Sequence, residues 1–368
     1  MIYLDHAATT PVCEAAQKAI IKHLCDFGNP SSSHVIGHVA KMLIEDARER
    51  IAKCINAEPD EIYFTSGGSE ADTWALKDKC SLASSIEHHA ISPTFQFKSK
   101  SNGIADTEDL DRWLLNNKIC SPIKIGIVSC MAVNNELGTV QPIDRMAKIA
   151  HFYGALFHTD AVQAIAHLPI NVKELDCDML SASGHKFGAP KGIGFLYIKN
   201  GVMIDRLING GKQELGLRGG TENTLGIIAM AAALEDTVAN MYKREKHIEW
   251  LRQILLDCLL DIDGVHINGY ETFNINRIYS IINIRIEGVK GQDVVAMANE
   301  YGICISAGSA CNEGIAQPSH VLKAIGLTDE EALSSIRITL GHQNTFEEIE
   351  YVCDILPKII TRLRQINS

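Results

Sequence analysis

The sequence predicts an α/β protein with a mainly parallel sheet and a second, smaller domain. Short runs rich in β-branched and aromatic residues, at 61–65, 123–129 and 155–159, alternate with longer segments of helical periodicity. This alternation is typical of βαβ units, in which helices connect parallel strands and polar residues meet at the carboxyl edge of the sheet. A chain of 368 residues is long enough for one large unit of this kind and a smaller partner.

The pattern changes near residue 235, where an amphipathic helical segment over 234–260 begins and the later strands become antiparallel in type. We therefore expect a large domain over 13–245 and a small domain formed by 1–12 together with 246–368. A stretch rich in Gly, Ser, Ala and Asn, at about 306–318, is predicted to be a mobile loop of the small domain.

The composition excludes several classes of protein. The net charge of −11 disfavours a broad nucleic-acid-binding surface, and the longest apolar run has ten residues, too few to span a bilayer. Eleven scattered cysteines without a Cys-x-x-Cys pair disfavour a disulfide framework and a zinc module. No export signal is recognised, so we expect a cytoplasmic protein that contacts neither membrane nor nucleic acid and needs no metal.

Three features together indicate a cofactor site. The turn 66–69 joins a predicted strand to a helix start, a geometry suited to holding a phosphate on backbone N–H groups. Asp160 ends a predicted strand, and Lys186 lies in a later loop. A phosphate cradle, a carboxylate and a lysine are the groups that pyridoxal phosphate needs, for its phosphate, its pyridine nitrogen and its aldehyde.

Short motifs then follow one another along almost the whole chain, at residues 3–11, 28–34, 64–67, 87–88, 133–138, 158–163, 183–186, 218–223, 308–311 and 337–341. Together and in this order they resemble the NifS/IscS-type cysteine desulfurases, within the class V aminotransferase-like, fold-type I pyridoxal phosphate enzymes. The resemblance implies a large domain with a mainly parallel seven-stranded sheet flanked by helices, and a smaller α+β domain at the C-terminal end.

The resemblance also implies a role for each matched residue. Lys186 would hold pyridoxal phosphate covalently and move the substrate's Cα proton, Asp160 would pair with the pyridine nitrogen, and His88 would stack on the ring and move protons. The remaining cofactor contacts are implied for Gly68, Ser69, Ser183 and His185 at the phosphate, and for Gln163 and Asn135 at the phenolic oxygen or the substrate.

Two further implications concern the substrate and the assembly. Arg337 would bind the substrate carboxylate as a bidentate clamp, assisted by Asn29 and Asn135. Thr221 would reach the phosphate in the neighbouring subunit, so the resemblance implies a homodimer.

Cys311 decides the reaction. Small residues precede it, polar residues follow it, and no apolar periodicity predicts its burial, whereas Cys304 is predicted to be a buried strand residue. The resemblance implies that the Cys311 thiolate accepts sulfur from L-cysteine, which leaves alanine and a persulfide. A protein acceptor would then receive the sulfur for iron–sulfur cluster assembly, tRNA thiolation or DNA phosphorothioation.

Two alternatives stay open. A selenocysteine lyase or another pyridoxal-phosphate C–S lyase would use the same cofactor site without needing the thiol of Cys311. A non-catalytic partner protein that kept the same scaffold would bind no cofactor.

Overall fold

The computed structural model describes residues 1–269, 277–307 and 317–367. The strands in these parts of the chain are β1 (Ile2–Tyr3), β2 (Ile62–Thr65), β3 (Ser81–Ser84), β4 (Phe95–Phe97), β5 (Ile127–Ser129), β6 (Leu156–Asp160), β7 (Met179–Ser183), β8 (Gly194–Ile198), β9 (Val265–Ile267), β10 (Ile281–Ile286), β11 (Ile303–Cys304) and β12 (Ser335–Thr339).

The helices in the same parts are α1 (Glu14–His23), α2 (Val35–Ile55), α3 (Gly68–Leu76), α4 (Thr107–Cys120), α5 (Ile143–Phe152), α6 (Val172–Leu175), α7 (Thr224–Leu260), α8 (Gly291–Glu300), α9 (His320–Ala324), α10 (Asp329–Leu333) and α11 (Phe346–Asn367).

Seven strands form the main sheet, in the order β2-β8-β7-β6-β5-β3-β4. All are parallel except β8, which runs antiparallel to both of its neighbours. The central strands are buried on both faces, as expected for a parallel sheet covered by helices on each side. The predicted mainly parallel seven-stranded sheet is therefore confirmed.

One strand is shorter than its sequence predicts. The prediction over 123–129 is realised only as β5, because the residues before it include Pro122, which has no N–H for a strand ladder, and an exposed Ile123. The other two predicted strands correspond to β2 and β6 within a residue or two at their ends.

A second, three-stranded antiparallel sheet of order β12-β10-β9 lies in the C-terminal part of the chain. Its core packs against α8, α11 and the second half of α7, and Leu4 near the N-terminus belongs to the same hydrophobic cluster. The first half of α7 packs in the core of the main sheet. The predicted domain boundaries, after residue 12 and after residue 245, stay predictions. Helix α7 continues without interruption across the boundary after residue 245.

No helix in the described ranges is both long enough and apolar enough to cross a bilayer. The predicted loop at 306–318 lies mostly outside these ranges, because residues 308–316 are not among those described.

A buried ion pair connects α2 to the main sheet. The Arg48 guanidinium donates to both carboxylate oxygens of Glu214 at 3.0 Å, and the same carboxylate accepts from the backbone N–H of Phe64 at 2.9 Å. The side chain of Glu214 is only 3% exposed. Because both charges are largely removed from water, each depends on the other for its stability.

We expect Glu214→Gln to lower the free energy of unfolding by about 3 kcal/mol, because the buried Arg48 then keeps only the half-exposed Glu45, 3.3 Å away, as a counter-charge. Urea unfolding at fixed protein concentration measures the change. Glu14→Gln is the matched control, since the Glu14–Lys18 pair is exposed and should change stability by less than about 1 kcal/mol. Equal effects of the two substitutions would contradict this assignment.

Candidate active site

A cavity of about 350 Å³ lies at the carboxyl edge of the main sheet. It is reached from the ends of β2, β3, β5, β6 and β7, where polar residues of parallel strands are expected to converge. Its lining contains most of the site residues predicted from the sequence, namely Gly68, Ser69, His88, Asn135, Asp160, Gln163, Ser183, His185, Lys186 and Arg337.

The N-terminus of α3 forms one wall of this cavity. Gly67 joins β2 to the helix with a φ of +155°, a conformation that residues with a side chain rarely adopt. A Cβ at Gly68 would lie 2.7 Å from a methyl carbon of Val162 and 3.5 Å from Cβ of Ser183. The backbone of 68–69 therefore approaches Ser183 closely, and the free N–H groups of a helix start together with two hydroxyls make a cradle suited to a phosphate.

Lys186 is held by the N-terminal segment of the chain. Its ammonium nitrogen Nζ donates to the carbonyl oxygens of Ala7 at 2.6 Å and Ala8 at 2.9 Å. The Ala7 carbonyl also accepts from Nε2 of Gln163 at 3.0 Å. Burial, and secondarily the charge of Arg337, lower the pKa of Lys186 to about 8, so about a tenth of it is free amine at pH 7, far more than for an ordinary lysine.

Asp160 ends β6 and is buried at the inner wall of the cavity. Burial raises the pKa of its carboxyl to about 6, and the N–H of Val162 and the charge of Lys186 oppose that rise. The Val162 N–H donates to Oδ1 at 2.8 Å. Asp160 is therefore mainly ionised at neutral pH and suited to pair with a protonated ring nitrogen.

His88 follows β3 and presents a neutral ring. Its Nδ1 accepts from the N–H of Ala90 at 3.1 Å, which places the proton of the neutral imidazole on Nε2. Burial lowers the pKa of His88, and the neighbouring His89 and Lys186 lower it further. A neutral ring is suited to stacking on an aromatic ring and to exchanging a proton at Nε2.

Arg337 comes from β12, so the smaller sheet supplies part of the cavity. Its Nη2 donates to Oδ1 of Asp5 at 2.9 Å and its Nη1 to the carbonyl of Asn135 at 3.0 Å. Among the residues that the structure describes, Nε has no hydrogen-bond partner although it is buried. A carboxylate that binds the outer edge of this guanidinium would therefore compete with Asp5 for Nη2.

Three predicted site residues are not in the cavity. Asn29 is exposed, accepts from the N–H of Ser31 at 2.9 Å, and precedes a separate groove. Thr221 is also exposed and away from the cavity. Cys311 lies outside the described residues. The roles of these three residues stay predictions.

Sequence reasoning missed two acidic residues near the site. Asp72 lines the cavity one helical turn after Gly68, and Asp5 binds Arg337. The spacing of four residues on α3 could have revealed Asp72, because residues i and i+4 share a helix face. Cys304, predicted to be a buried strand residue, does lie in β11, but it is only half-buried.

The donor set fits pyridoxal phosphate, since the cradle, Asp160 and Lys186 can serve its phosphate, ring nitrogen and aldehyde within one cavity. Across the described ranges, no group of three or more His, Cys, Asp or Glu side chains is arranged to bind a metal ion.

Sequence comparison points to one family. The family model described as aminotransferase class-V matches residues 2–352. The cysteine desulfurase IscS of Methanosarcina thermophila is 39% identical over an alignment that covers 100% of this chain and 93% of that protein. The cysteine desulfurase IscS of Dictyoglomus turgidum is 40% identical, with coverage of 100% and 96%.

Solved structures agree. A NifS-like protein from Rickettsia africae superposes with a TM-score of 0.88 and 32% identity, covering 98% of this chain and 99% of that one. The structure described as SspA in complex with cysteine superposes with a TM-score of 0.78 and 33% identity, covering 94% and 100%.

The pKa of Lys186 leads to a prediction about cofactor loading. Because only the free amine attacks an aldehyde, the rate at which the cofactor-free protein reacts with pyridoxal phosphate should rise with pH and level off above about pH 8. Stopped-flow absorbance between pH 6 and 10 measures this rate. Lys186→Arg is the control and should not react at this position. A rate that keeps rising towards the ordinary lysine pKa would contradict the prediction.

Proposed function

Because this chain belongs to the class-V aminotransferase family and is a pyridoxal-phosphate-dependent cysteine desulfurase, we propose that it moves sulfur from L-cysteine onto Cys311 and then to an acceptor protein. The observation that carries the proposal is the convergence of Lys186, Asp160, Arg337 and the cradle at Gly68 on one cavity.

The chain's own residues divide the work in this cavity. When bound, pyridoxal phosphate withdraws electrons from the substrate and so acidifies the Cα proton. Lys186, as a free amine, takes that proton and returns it later, and Asp160 keeps a negative charge at the ring nitrogen. Arg337 binds the substrate carboxylate, and Nε2 of His88 exchanges a proton with the reacting groups.

The proposed sulfur transfer is balanced. The Cys311 thiolate attacks Sγ of the substrate, a new S–S bond forms, and the Cβ–Sγ bond breaks with its electron pair passing to the carbon skeleton. That skeleton takes up a proton at Cβ and leaves as alanine, while the sulfur stays on Cys311 as a persulfide. Attack requires the thiolate, because the thiol is a poor nucleophile.

The described residues on either side of Cys311 support its access to the cavity. Before it, Ser306 exchanges backbone hydrogen bonds with Arg337, whose side chain lines the cavity. After it, the Ser319 hydroxyl donates to Glu136 at 2.6 Å, and His320 contacts the carbonyl of Glu87. Cys311 is four residue steps along the chain from residue 307, and a chain of that length can reach up to about 14 Å.

We propose a protein acceptor for the sulfur, in iron–sulfur cluster assembly, tRNA thiolation or DNA phosphorothioation, and a cytoplasmic site of action. The relatives named IscS share this chain's full length, which supports sulfur transfer as the common activity and leaves these three destinations open.

We expect Cys311→Ser to abolish alanine formation from L-cysteine under reducing conditions, because no thiolate then attacks the substrate sulfur. Cys304→Ser is the matched control, since Cys304 is a half-buried thiol in the same part of the chain and should retain activity. Mass spectrometry of the protein after L-cysteine alone should show one added sulfur in the control and none in Cys311→Ser.

This experiment also separates the alternatives. A selenocysteine lyase or another C–S lyase would keep cleaving its substrate after Cys311→Ser. A non-catalytic protein would show no activity and no cofactor spectrum in any variant.

We also propose that the chain forms a homodimer, in which Thr221 completes the neighbouring site. Val35, Val39 and Met42 share one face of α2 at helical spacing and are 78%, 41% and 62% exposed, and Phe27, which precedes this helix in the chain, is 83% exposed. Apolar patches of this kind are typical of protein interfaces. A groove of about 1020 Å³ is lined by other residues of the same helix, including His38 and Lys41, and by Glu222, which follows Thr221 in the chain.

We expect Val35→Asp to shift the chain from dimer to monomer and to weaken pyridoxal phosphate binding, because a charge in the apolar face disfavours its burial. Sedimentation velocity would show twice the chain mass of 40.3 kDa for the unchanged protein. Phe152→Asp is the control, since Phe152 is 76% exposed on α5.

Thr221→Ala should weaken cofactor binding without changing the mass of the dimer. A monomeric unchanged protein that binds the cofactor would contradict the proposal.

A further inference from the structure

Three buried carboxyl groups surround the inner end of the cavity. Asp72 and Asp160 line it, and Glu87 immediately precedes His88, which also lines it. Their residues are 1%, 5% and 4% exposed. Three ionised carboxylates in so small a volume would repel one another strongly, because little water is present to screen them.

The cations nearby balance only one of these charges. Lys186 faces Asp160 and opposes the rise in its pKa. In the described part of the chain, neither Asp72 nor Glu87 faces a lysine or an arginine. His158, whose Nε2 lies 3.7 Å from Oδ1 of Asp72, is neutral, because complete burial lowers its pKa to about 3. One negative charge is therefore favoured in this cluster, and two or three are not.

The nearby lysine charge and the unpartnered buried oxygens indicate that Asp160 carries this charge. Oδ1 of Asp160 accepts from the N–H of Val162. Oε1 of Glu87 accepts from the N–H of Met131 at 2.9 Å and from a serine hydroxyl, but its Oε2 is buried without a donor among the described residues. Oδ1 of Asp72 is likewise buried without a donor among them. Burial, followed by the charge of Asp160, raises the pKa of Asp72 well above its usual range, and burial raises that of Glu87 to about 8. Bare buried oxygens are tolerated in a neutral acid far better than in an anion.

A fixed polar chain holds Asp72 in this position. Ser129 on β5, His158 on β6 and Ser181 on β7 are linked by contacts of 2.9 Å from each ring nitrogen to a serine oxygen. Nε2 of His158 in turn lies 3.7 Å from Oδ1 of Asp72, so this chain packs against that carboxyl. His158 and Asp160 belong to the same strand, β6, so the ring that lies next to Asp72 is fixed relative to Asp160.

We propose that Asp72 is a positioning residue that acts as a neutral carboxylic acid and so keeps the negative charge of the cavity on Asp160. Adjacent carboxyls with opposite protonation states are a known means of dividing roles in an active site. A second negative charge on Asp72 would stabilise the ammonium form of Lys186 and reduce the free amine. The inference rests on the proposed roles of Asp160 and Lys186.

Isosteric amide variants test the proposal, with the pH midpoint of pyridoxal phosphate loading as the readout. Asp72→Asn cannot ionise but keeps the shape of a neutral acid, so it should leave the midpoint unchanged. Asp160→Asn removes the charge that favours the Lys186 ammonium, so it should lower the midpoint by about one pH unit. A downward shift in Asp72→Asn equal to that of Asp160→Asn would overturn the proposal, because it would show that Asp72 is ionised.

Two further measurements test the proposal even if a variant fails to fold: cofactor binding by two Asp72 variants and infrared spectroscopy of the unchanged protein. Asp72→Ala should weaken pyridoxal phosphate binding by about tenfold, because it removes a buried hydrogen-bonding group, and Asp72→Asn should restore it. Infrared spectroscopy of the unchanged protein at neutral pH should show the carbonyl stretch of a protonated buried carboxyl that disappears in Asp72→Asn. Absence of that band, or unaltered binding in Asp72→Ala, would overturn the proposal. Failure of all variants and of the unchanged protein to bind pyridoxal phosphate would instead refute the proposed function.

Discussion

The contact between the Lys186 ammonium and the carbonyls of Ala7 and Ala8 is the constraint on which the site depends. The N-terminal segment that supplies these carbonyls also contacts the smaller sheet. Leu4 packs in the core of the smaller sheet and its carbonyl accepts from Thr339, and Asp5 pairs with Arg337. The N-terminal segment therefore sets the distance between the reactive amine and the arginine that receives the substrate.

Electrostatics in the cavity follow from the same arrangement. Lys186 is close to a second cation, Arg337, and both are partly removed from water, which favours the free amine. Asp5 neutralises Arg337 and Asp160 lies opposite Lys186, so each cation has one anion. Catalytic groups are commonly tuned in this way, by burial and a small number of fixed charges.

Much of this site could be predicted from the sequence, because its residues occur in short motifs at the ends of strands. Periodicity located β2 and β6, and the turn after β2 indicated the cradle at Gly68. The partners of Lys186 could not be predicted in this way, since they are backbone carbonyls 178 and 179 residues away. No side-chain pattern records a backbone contact at that separation.

Asp72 shows a different limit. Its position on α3 is regular, but its protonation depends on side chains from three strands and on the absence of a nearby cation among the described residues. Such a state depends on burial and on the whole set of neighbours. Asn29 and Thr221 show a third limit, because a single chain leaves both of them exposed.

The uninterrupted helix α7 has a mechanical consequence. Its 37 residues extend about 55 Å, with one half packed in each hydrophobic core. A rigid rod anchored at both ends transmits rotation and resists hinge bending, unlike a linker of loop residues. Any displacement of β12 relative to the main sheet must therefore deform this rod or slide its side chains within one core. Small shear movements are consequently favoured over wide opening as the way in which substrate enters and alanine leaves.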